Sequence, residues 1–265
     1  MKKLKFLLLA LSFIVIVSCS KDEEEVVVST NEKRFLVSKI YNYNNQLLAH
    51  YLYDGNNRLI KRITTDPVNN RSSDYIFEYE NNEVKKIKYI DHDFPGFNHE
   101  ILIYYNEQGK VIRDETIQNN NVISHNNYYY NSQGKIDYLF YDTGAQNSFI
   151  NYQNSNNCKQ IKYLVQDAFT GELYESFSNY LFDTKQKPSF GIDKIFQIEI
   201  LPYFGTEAVL PKNISENNMT EFDISGTKWF YEYNENDLPK TIETKWEDIT
   251  TLEPMLLRLE YIEII

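Results

Sequence analysis

The sequence predicts an all-β fold, an antiparallel meander of repeated β-hairpins that forms a strongly curved sheet or an up-and-down, barrel-like domain. Three observations predict it: an aromatic repeat that returns in degenerate form between residues 51 and 239, turn residues at a fixed distance after each aromatic, and no sustained helical period of apolar residues between residues 35 and 182. Repeat length leaves strand tilt and stagger free, so both an open and a closed sheet remain compatible with the pattern.

Each copy of the repeat is built on an anchor, the last aromatic residue before a turn. The anchors are Tyr53, Tyr79, Tyr105, Tyr130, Tyr152, Phe182 and Tyr233. A second apolar side chain stands two residues before each anchor, and side chains two apart lie on the same face of a strand. These second positions form one predicted stripe, made of Tyr51, Phe77, Ile103, Tyr128, Ile150, Tyr180 and Tyr231.

The residues after each anchor predict a tight turn. In five copies the next residue is a short Asp or Asn, which caps the first position of a type I turn: Asp54, Asn106, Asn131, Asp183 and Asn234. Four residues past the anchor, five copies carry a residue that tolerates the left-handed conformation: Asn57, Gly109, Gly134, Asn156 and Asp237. One such hairpin cannot bury its own aromatic face, so we expect neighbouring copies to lie edge to edge in one sheet.

The N-terminal residues predict export and lipidation. Residues 1–18 combine three lysines with an apolar run and are expected to be a cleaved signal peptide. The run ends at Ile16-Val17-Ser18-Cys19, which resembles the bacterial lipobox, so Cys19 is expected to become the acylated first residue. Residues 19–34 are expected to be a lipidated acidic tether. Their Ser20-Lys21-Asp22-Glu23-Glu24-Glu25 run resembles the surface-export signal of Bacteroidota lipoproteins, and a merely solvated, disordered tether is the alternative.

Residues 35–265 are expected to form a single hairpin-repeat domain with an insertion at about 188–226, where the repeat is interrupted. Within the insertion we expect one strand at Ile195–Leu201 and a helical turn between Thr206 and Leu210, with apolar residues able to plug or cover one end of the sheet.

The motif of the best copy carries a family resemblance. Tyr51-Leu52-Tyr53-Asp54-Gly55-Asn56-Asn57-Arg58-Leu59 resembles the YD repeat of the RHS type. Over roughly residues 35–265 the chain is similar to Bacteroidota lipoproteins of unknown function that carry degenerate YD-like hairpins and a porin-like, barrel-shaped β fold. The copies are too few for the large shell that RHS toxins build. The resemblance therefore implies a fold and an envelope address, and it supplies no catalytic residues.

The charge balance excludes some partners. Removal of the leader leaves 24 of the 27 basic residues against 38 acidic ones, a net charge of about −14 for the mature chain. Nucleic acid and anionic lipid surfaces both require a basic protein surface, so neither is an expected partner. The predicted contact with the membrane is the lipid anchor at Cys19. Charged residues on the hairpin strands, such as Glu78 and Lys86, favour a domain in water over one that spans the membrane.

The sequence offers no catalytic, cofactor or metal signature. The segment from Asp91 to Glu100 contains two His and three carboxylates and could bind a divalent metal, but a second ligand group is missing, so a polar loop between strands is the preferred interpretation. Cys158, the thiol left after acylation of Cys19, occupies an apolar strand position and is expected to be a small buried hydrophobe.

Eight aromatic residues outside the anchors and the stripe are selected as candidates for ligand binding. They are Phe94, Phe97, Tyr104, Tyr129, Tyr203, Phe204, Trp229 and Trp246. The expected function is a non-enzymatic, outer-membrane-anchored lipoprotein at the cell surface that binds a glycan, peptide or partner protein. The alternatives are a periplasm-facing lipoprotein that carries an apolar ligand inside the β domain, and a polymer-degrading hydrolase.

Overall fold

The structure is a computed structural model that describes residues 34–141, 146–153, 155–167, 169–192, 194–196, 198–201, 208–247 and 255–264. These ranges contain sixteen strands in one closed barrel. The strands are β1 (Arg34–Asn42), β2 (Leu47–Tyr53), β3 (Leu59–Asp66), β4 (Arg71–Glu80), β5 (Glu83–Asp91), β6 (His99–Tyr105), β7 (Val111–Gln118), β8 (Asn121–Tyr130), β9 (Ile136–Tyr141), β10 (Gln146–Asn151), β11 (Gln160–Gln166), β12 (Leu173–Gln186), β13 (Asn217–Phe222), β14 (Thr227–Tyr233), β15 (Pro239–Trp246) and β16 (Met255–Ile264). A 3-10 turn spans Pro95–Phe97, and helix α1 spans Val209–Ile214. The predicted leader (1–18) and all but the last residue of the predicted tether (19–34) lie outside these ranges.

The predicted all-β meander is confirmed, and the sheet closes. Every strand pairs antiparallel with its neighbours in sequence, and β1 pairs with β16 in a register that places Ile40 opposite Leu259. Closure satisfies the backbone groups that a free sheet edge would expose, which removes the site where another chain could add a strand.

The hairpin turns have the predicted chemistry. In the turn from β8 to β9, Asn131 Oδ1 accepts hydrogen bonds from the backbone N–H groups of Gln133 at 3.0 Å and Lys135 at 3.1 Å, and Gly134 adopts a φ of 79°. The register shifts by one residue just before the turn, between Tyr129 and Tyr130, which is a β-bulge. The same turn returns after β2, β6 and β14.

The anchor tyrosines link consecutive hairpins. Each of five anchors donates its hydroxyl to a backbone carbonyl of the preceding strand, and the pairs are Tyr53 to Val37, Tyr79 to Leu59, Tyr105 to Val84, Tyr130 to Val111 and Tyr152 to Ile136, at 2.6 to 3.0 Å. A cation also lies over several anchor rings, as Lys110 does over Tyr130 at 5.0 Å. The repeat thus encodes the contact between hairpins as well as the hairpin itself.

The predicted stripe faces the barrel interior. Tyr51, Tyr128 and Tyr180 are at most 3% exposed, and the stripe residues belong to one continuous core. Inside the ring lies a segment that we call the insert, the described residues between 187 and 216. Its Ile200 carbonyl accepts the Tyr51 hydroxyl from β2 at 2.6 Å, and its Phe196 ring lies 5.2 Å from Tyr128 on β8. Because it contacts strands far apart around a closed ring, the insert fills the lumen.

One detail of the insertion differs from expectation. The described residues of Ile195–Leu201 form no strand, because their backbone groups are bonded by wall side chains such as Tyr51 and not by a strand ladder, while Ile195, Ile198 and Leu201 are buried in the core. Helix α1 overlaps the expected helical turn at Val209 and Leu210, and residues 202–207 lie outside the described ranges. The wall resumes at Asn217.

The thiol of Cys158 is fully buried, as predicted, and its backbone N–H donates to Ser215 Oγ of the insert at 2.8 Å.

Candidate functional site

The outer wall of the barrel carries a row of exposed aromatic side chains across strands β8 to β12. Tyr129 pairs with Tyr138, Tyr138 with Phe149, Phe149 with Lys162, and Lys162 with Phe177. These residues are directly opposite one another on five adjacent strands, so they form one line perpendicular to the strands. We call this line the aromatic row. With about 4.8 Å between strands, it is roughly 19 Å long.

Three rings of the aromatic row are in contact, and three of its four aromatic side chains are exposed, while Tyr138 is half-buried. The Tyr129 and Tyr138 centroids are 5.2 Å apart, and the Tyr138 and Phe149 centroids are 4.9 Å apart. The ammonium of Lys162 lies 4.9 Å from the Phe149 centroid and forms an ion pair with Glu175 at 3.0 Å. Tyr129 is 51% exposed, Phe149 40% and Phe177 45%. A line of exposed rings on a rigid sheet is the kind of apolar surface that marks a binding site.

Another part of the outer wall, on strands β3 to β6, carries cross-strand ion pairs. They join Lys61 to Asp74 at 2.8 Å and Lys86 to Glu100 at 2.9 Å, and a third joins Lys88 to Glu78. Such pairs contribute little stability in water, but they make this part of the wall hydrophilic.

Inside the barrel, a cavity of about 410 Å³ lies between the insert and strands β4 to β8. Two carboxyl groups line it, Asp114 on β7 and Glu199 on the insert. Burial raises the pKa of Asp114, whereas hydrogen bonds from the Tyr128 hydroxyl and from Asn126 Nδ2, the latter at 2.7 Å, oppose that rise. Each Asp114 oxygen therefore already accepts one bond from the wall.

The insert is fixed on one side of the lumen by a buried arginine. Arg62 on β3 is 6% exposed and donates to the carbonyls of Glu199 and Ile200, the second at 3.1 Å. Its guanidinium lies 4.6 Å from the Tyr75 ring centroid. A second cavity of about 400 Å³ lies on the other side of the insert, toward β12 to β15.

The ligand-binding candidates drawn from the sequence lie in several places. Tyr129 is part of the aromatic row, and Tyr104 lies on the same outer wall, where its hydroxyl donates to Glu115 at 2.7 Å. Phe94 and Phe97 lie in the loop between β5 and β6, with ring centroids 6.2 Å apart and Arg71 over the Phe94 ring at 4.8 Å.

The two tryptophans are not part of that surface. Trp229 is 2% exposed and belongs to the core, and Trp246 is half-buried opposite Thr227. Tyr203, Phe204 and Cys19 lie outside the described residues.

Three members of the aromatic row, Tyr138, Phe149 and Phe177, were missed by the sequence reasoning. Each of these residues faces outward, because its neighbour along the strand faces inward. An alignment of the hairpins by their anchors could therefore have found them.

The polar groups between Asp91 and Glu100 serve the loop itself. Asp91 Oδ1 accepts from the backbone N–H groups of Asp93 at 2.9 Å and Phe94 at 2.7 Å, and Asn98 Oδ1 accepts from the Asp91 N–H at 2.7 Å. His92 bonds instead to Asp74 at 3.0 Å. In the part of the chain that the structure describes, no three His, Cys, Asp or Glu side chains are placed to share a metal ion.

The sequence matches no protein-family model and no curated protein. Among solved structures, a porin-like protein from Bacteroides uniformis covers 85% of this chain and 98% of its own length with a TM-score of 0.53 at 14% identity. The two chains share this fold. A porin-like protein from Bacteroides vulgatus covers the same shares with a TM-score of 0.38 at 11% identity, and a Photorhabdus luminescens Tc holotoxin pore covers 75% of this chain and 10% of its own with a TM-score of 0.33 at 14% identity.

Among the residues that the structure describes, no helix is long and apolar enough to cross a membrane.

Proposed function

We propose that this protein is a non-enzymatic lipoprotein of the outer membrane, anchored through Cys19, that displays its barrel at the cell surface as a glycan-binding module. The observation that carries the proposal is the aromatic row. The lipobox and acidic tether in the sequence support the anchor, and the shared fold with a porin-like protein supports an envelope address. The turns and anchor residues of this chain are consistent with the degenerate YD-like hairpins of a Bacteroidota lipoprotein.

The charged outer wall favours a barrel in water. In a membrane-spanning barrel the outward side chains face lipid, and each Lys or Arg near the midplane costs about 2 to 4 kcal/mol. Lys61 on β3 and Lys86 and Lys88 on β5, the two strands that flank β4, project from the outside of the barrel. Lipid anchoring through Cys19 attaches such a barrel to the membrane without inserting its wall.

The aromatic row fits a glycan better than a peptide. A closed barrel offers no free edge for strand addition, so a peptide cannot bind through main-chain pairing. Sugar rings present flat C–H faces that stack on the electron-rich faces of Tyr and Phe. The ammonium of Lys162 and the carboxylate of Glu175 lie beside the rings and can bond to sugar hydroxyl groups.

The non-enzymatic part of the proposal is supported by the carboxyl groups of the lumen. Both oxygens of Asp114 already accept bonds from Asn126 and Tyr128, which suits a structural carboxyl better than a proton donor to substrate. A hydrolase would need a paired acid and base facing an accessible groove.

Glycan binding can be tested with the full-length lipoprotein extracted in detergent and applied to a glycan array. Phe149→Ala and Tyr129→Ala are each expected to weaken binding of the best glycan about fivefold, because one stacked ring contributes on the order of 1 kcal/mol. Tyr43→Ala is the control, since Tyr43 is 64% exposed and lies outside the row. An array with no signal, or an equal loss in the control, refutes the glycan assignment.

The proposed location at the cell surface has its own test. Cys19→Ala is expected to move the protein from the membrane fraction to the soluble fraction, and protease added to intact cells is expected to digest the wild-type barrel. Protection of the barrel from that protease would place it on the periplasmic side and overturn surface display.

A further inference from the structure

The cavity on the β12 to β15 side of the insert combines an apolar wall with a buried amine. Its volume is about 400 Å³. The apolar lining residues are Phe190, Ile192, Ile195, Ile200, Leu201, Ile214, Met219 and Ile242. Lys212 on helix α1 lines the same cavity and is only 9% exposed, whereas Gln186 and Glu216 at its edge are exposed. The cavity thus has an apolar wall, a buried lysine and exposed residues at its edge.

The surroundings of Lys212 are more cationic than anionic. Burial lowers the pKa of the Lys212 ammonium to about 7, Lys187 and Arg62 lower it further, and Glu199 opposes them. Lys187 Nζ donates to the carbonyls of Lys212 at 3.1 Å and Asn213 at 2.8 Å, which fixes its charge at the end of α1. The cavity is also lined by Lys194 and Glu216. The charged groups in or beside the cavity are therefore four cations (Arg62, Lys187, Lys194 and Lys212) and two carboxylates (Glu199 and Glu216), and a bound anion would reduce the imbalance.

We propose that this cavity is a binding site for an amphipathic carboxylic acid of medium chain length, with the carboxylate at Lys212 and the chain against the apolar lining. An engineered apolar cavity of roughly 150 Å³ takes up one benzene molecule, so about 400 Å³ suits a chain of that class. The site is independent of the aromatic row, because the row lies on the outer wall and the cavity lies inside the barrel.

The chemistry selects against other ligand classes. A neutral chain of the same length would gain the apolar contacts but no ionic interaction with Lys212. A cationic chain would add a like charge beside Lys187, Arg62 and Lys212. A phosphorylated ligand carries about two charges, and a wall made of Ile, Leu and Met side chains cannot replace its hydration.

The test compares three probes of equal chain length, namely octanoate, octanol and octylamine. Each probe is titrated calorimetrically into the full-length lipoprotein, which is held in solution in a particle stabilised by peptide and free of detergent. We expect octanoate to bind at least tenfold tighter than octanol, with octylamine weakest. We expect Lys212→Met to abolish the preference for octanoate while octanol still binds. Equal affinity of the wild type for octanoate and octanol, or a preference that survives in Lys212→Met, overturns the proposal.

Proton uptake gives a second readout that a purely structural lysine would not produce. A bound carboxylate favours the charged form of Lys212, so octanoate binding at a pH above about 7 should take up protons. Titrations in buffers of different ionisation enthalpy measure that uptake. Uptake should vanish well below pH 7, where Lys212 is already protonated, and also in Lys212→Met. Octanoate binding without uptake above pH 7 counts against the site.

A cavity-filling variant protects the test against a misfolded Lys212→Met protein. Ile214 lines the cavity on α1 and is half-buried, so Ile214→Trp should fill the cavity with Lys212 intact and abolish binding of both octanoate and octanol. Undiminished octanoate binding to Ile214→Trp places the ligand elsewhere and refutes the assignment. Phe149→Ala should leave octanoate binding unchanged, which separates this site from the glycan surface.

Discussion

The hydroxyl groups of the anchor tyrosines are expected to contribute measurable stability, and Tyr130→Phe is the cleanest test. The Tyr130 hydroxyl donates to the carbonyl of Val111 at 2.7 Å, and Val111 is 2% exposed. Phenylalanine retains the ring beneath Lys110 and removes only this hydrogen bond. A net hydrogen bond contributes about 1 kcal/mol, and a buried acceptor left without its donor can raise the cost to about 2 kcal/mol.

The assay is urea unfolding followed by circular dichroism. We expect the unfolding midpoint of Tyr130→Phe to fall by an amount equivalent to about 1 to 2 kcal/mol, with an unchanged dependence on urea because the folded and unfolded surfaces stay the same. Tyr43→Phe is the matched control, since Tyr43 is 64% exposed, and its midpoint should shift by less than about 0.5 kcal/mol. Equal midpoints for Tyr130→Phe and Tyr43→Phe would show that the anchor hydroxyls do not join the hairpins.

Three further predictions concern pH, the insert and the buried thiol. Burial raises the pKa of Tyr105 and of Tyr130 to about 12, above the value of about 10 in an unfolded chain. Their contribution to stability is therefore fully present below pH 10 and is lost as pH rises through about 12, so circular dichroism and tyrosinate absorbance should change together there. A wild-type change in tyrosinate absorbance near pH 10 that Tyr105→Phe or Tyr130→Phe removes, with the fold intact, would contradict this. Gly191→Ala should lower the thermal midpoint strongly, because Gly191 has a φ of 63° and an added Cβ would lie 2.5 Å from a carbonyl of the β2–β3 turn, whereas Gly96→Ala meets nothing within 4 Å and should be neutral. The thiol of Cys158, whose pKa is raised by burial, should react with a thiol reagent only at the rate of unfolding; rapid labelling of the folded barrel would disprove its burial.

The local unit of this fold was predictable because its determinants lie within a few residues of one another. Asn131 and Gly134 specify a turn through their own side chain and backbone conformation, and the two-residue spacing of Tyr128 and Tyr130 places both rings on one face. The prediction of a strand at Ile195–Leu201 failed for the opposite reason. A run of apolar residues with high β propensity predicts a strand when only the local sequence is considered. In the folded protein, however, wall side chains such as Arg62 bond to the backbone of these residues.

The candidate sites were predictable only in part. Tyr129 was selected as an aromatic outside the repeat, but its significance comes from Tyr138, Phe149 and Phe177, which only the strand register places in line with it. Lys212 gave no signal in the sequence, because a lysine is normally exposed and its burial depends on how the insert folds into the lumen.

The sequence by itself determined the repeating hairpin, its turns and its inward aromatic stripe, because alternation along a strand and side-chain capping of a turn act between near neighbours. Only the tertiary structure decided that β1 meets β16, that the insert occupies the lumen, and that two cavities remain beside it. Those outcomes depend on how sixteen described strands tilt and stagger around the ring, and that is a property of the whole ring that no single hairpin contains.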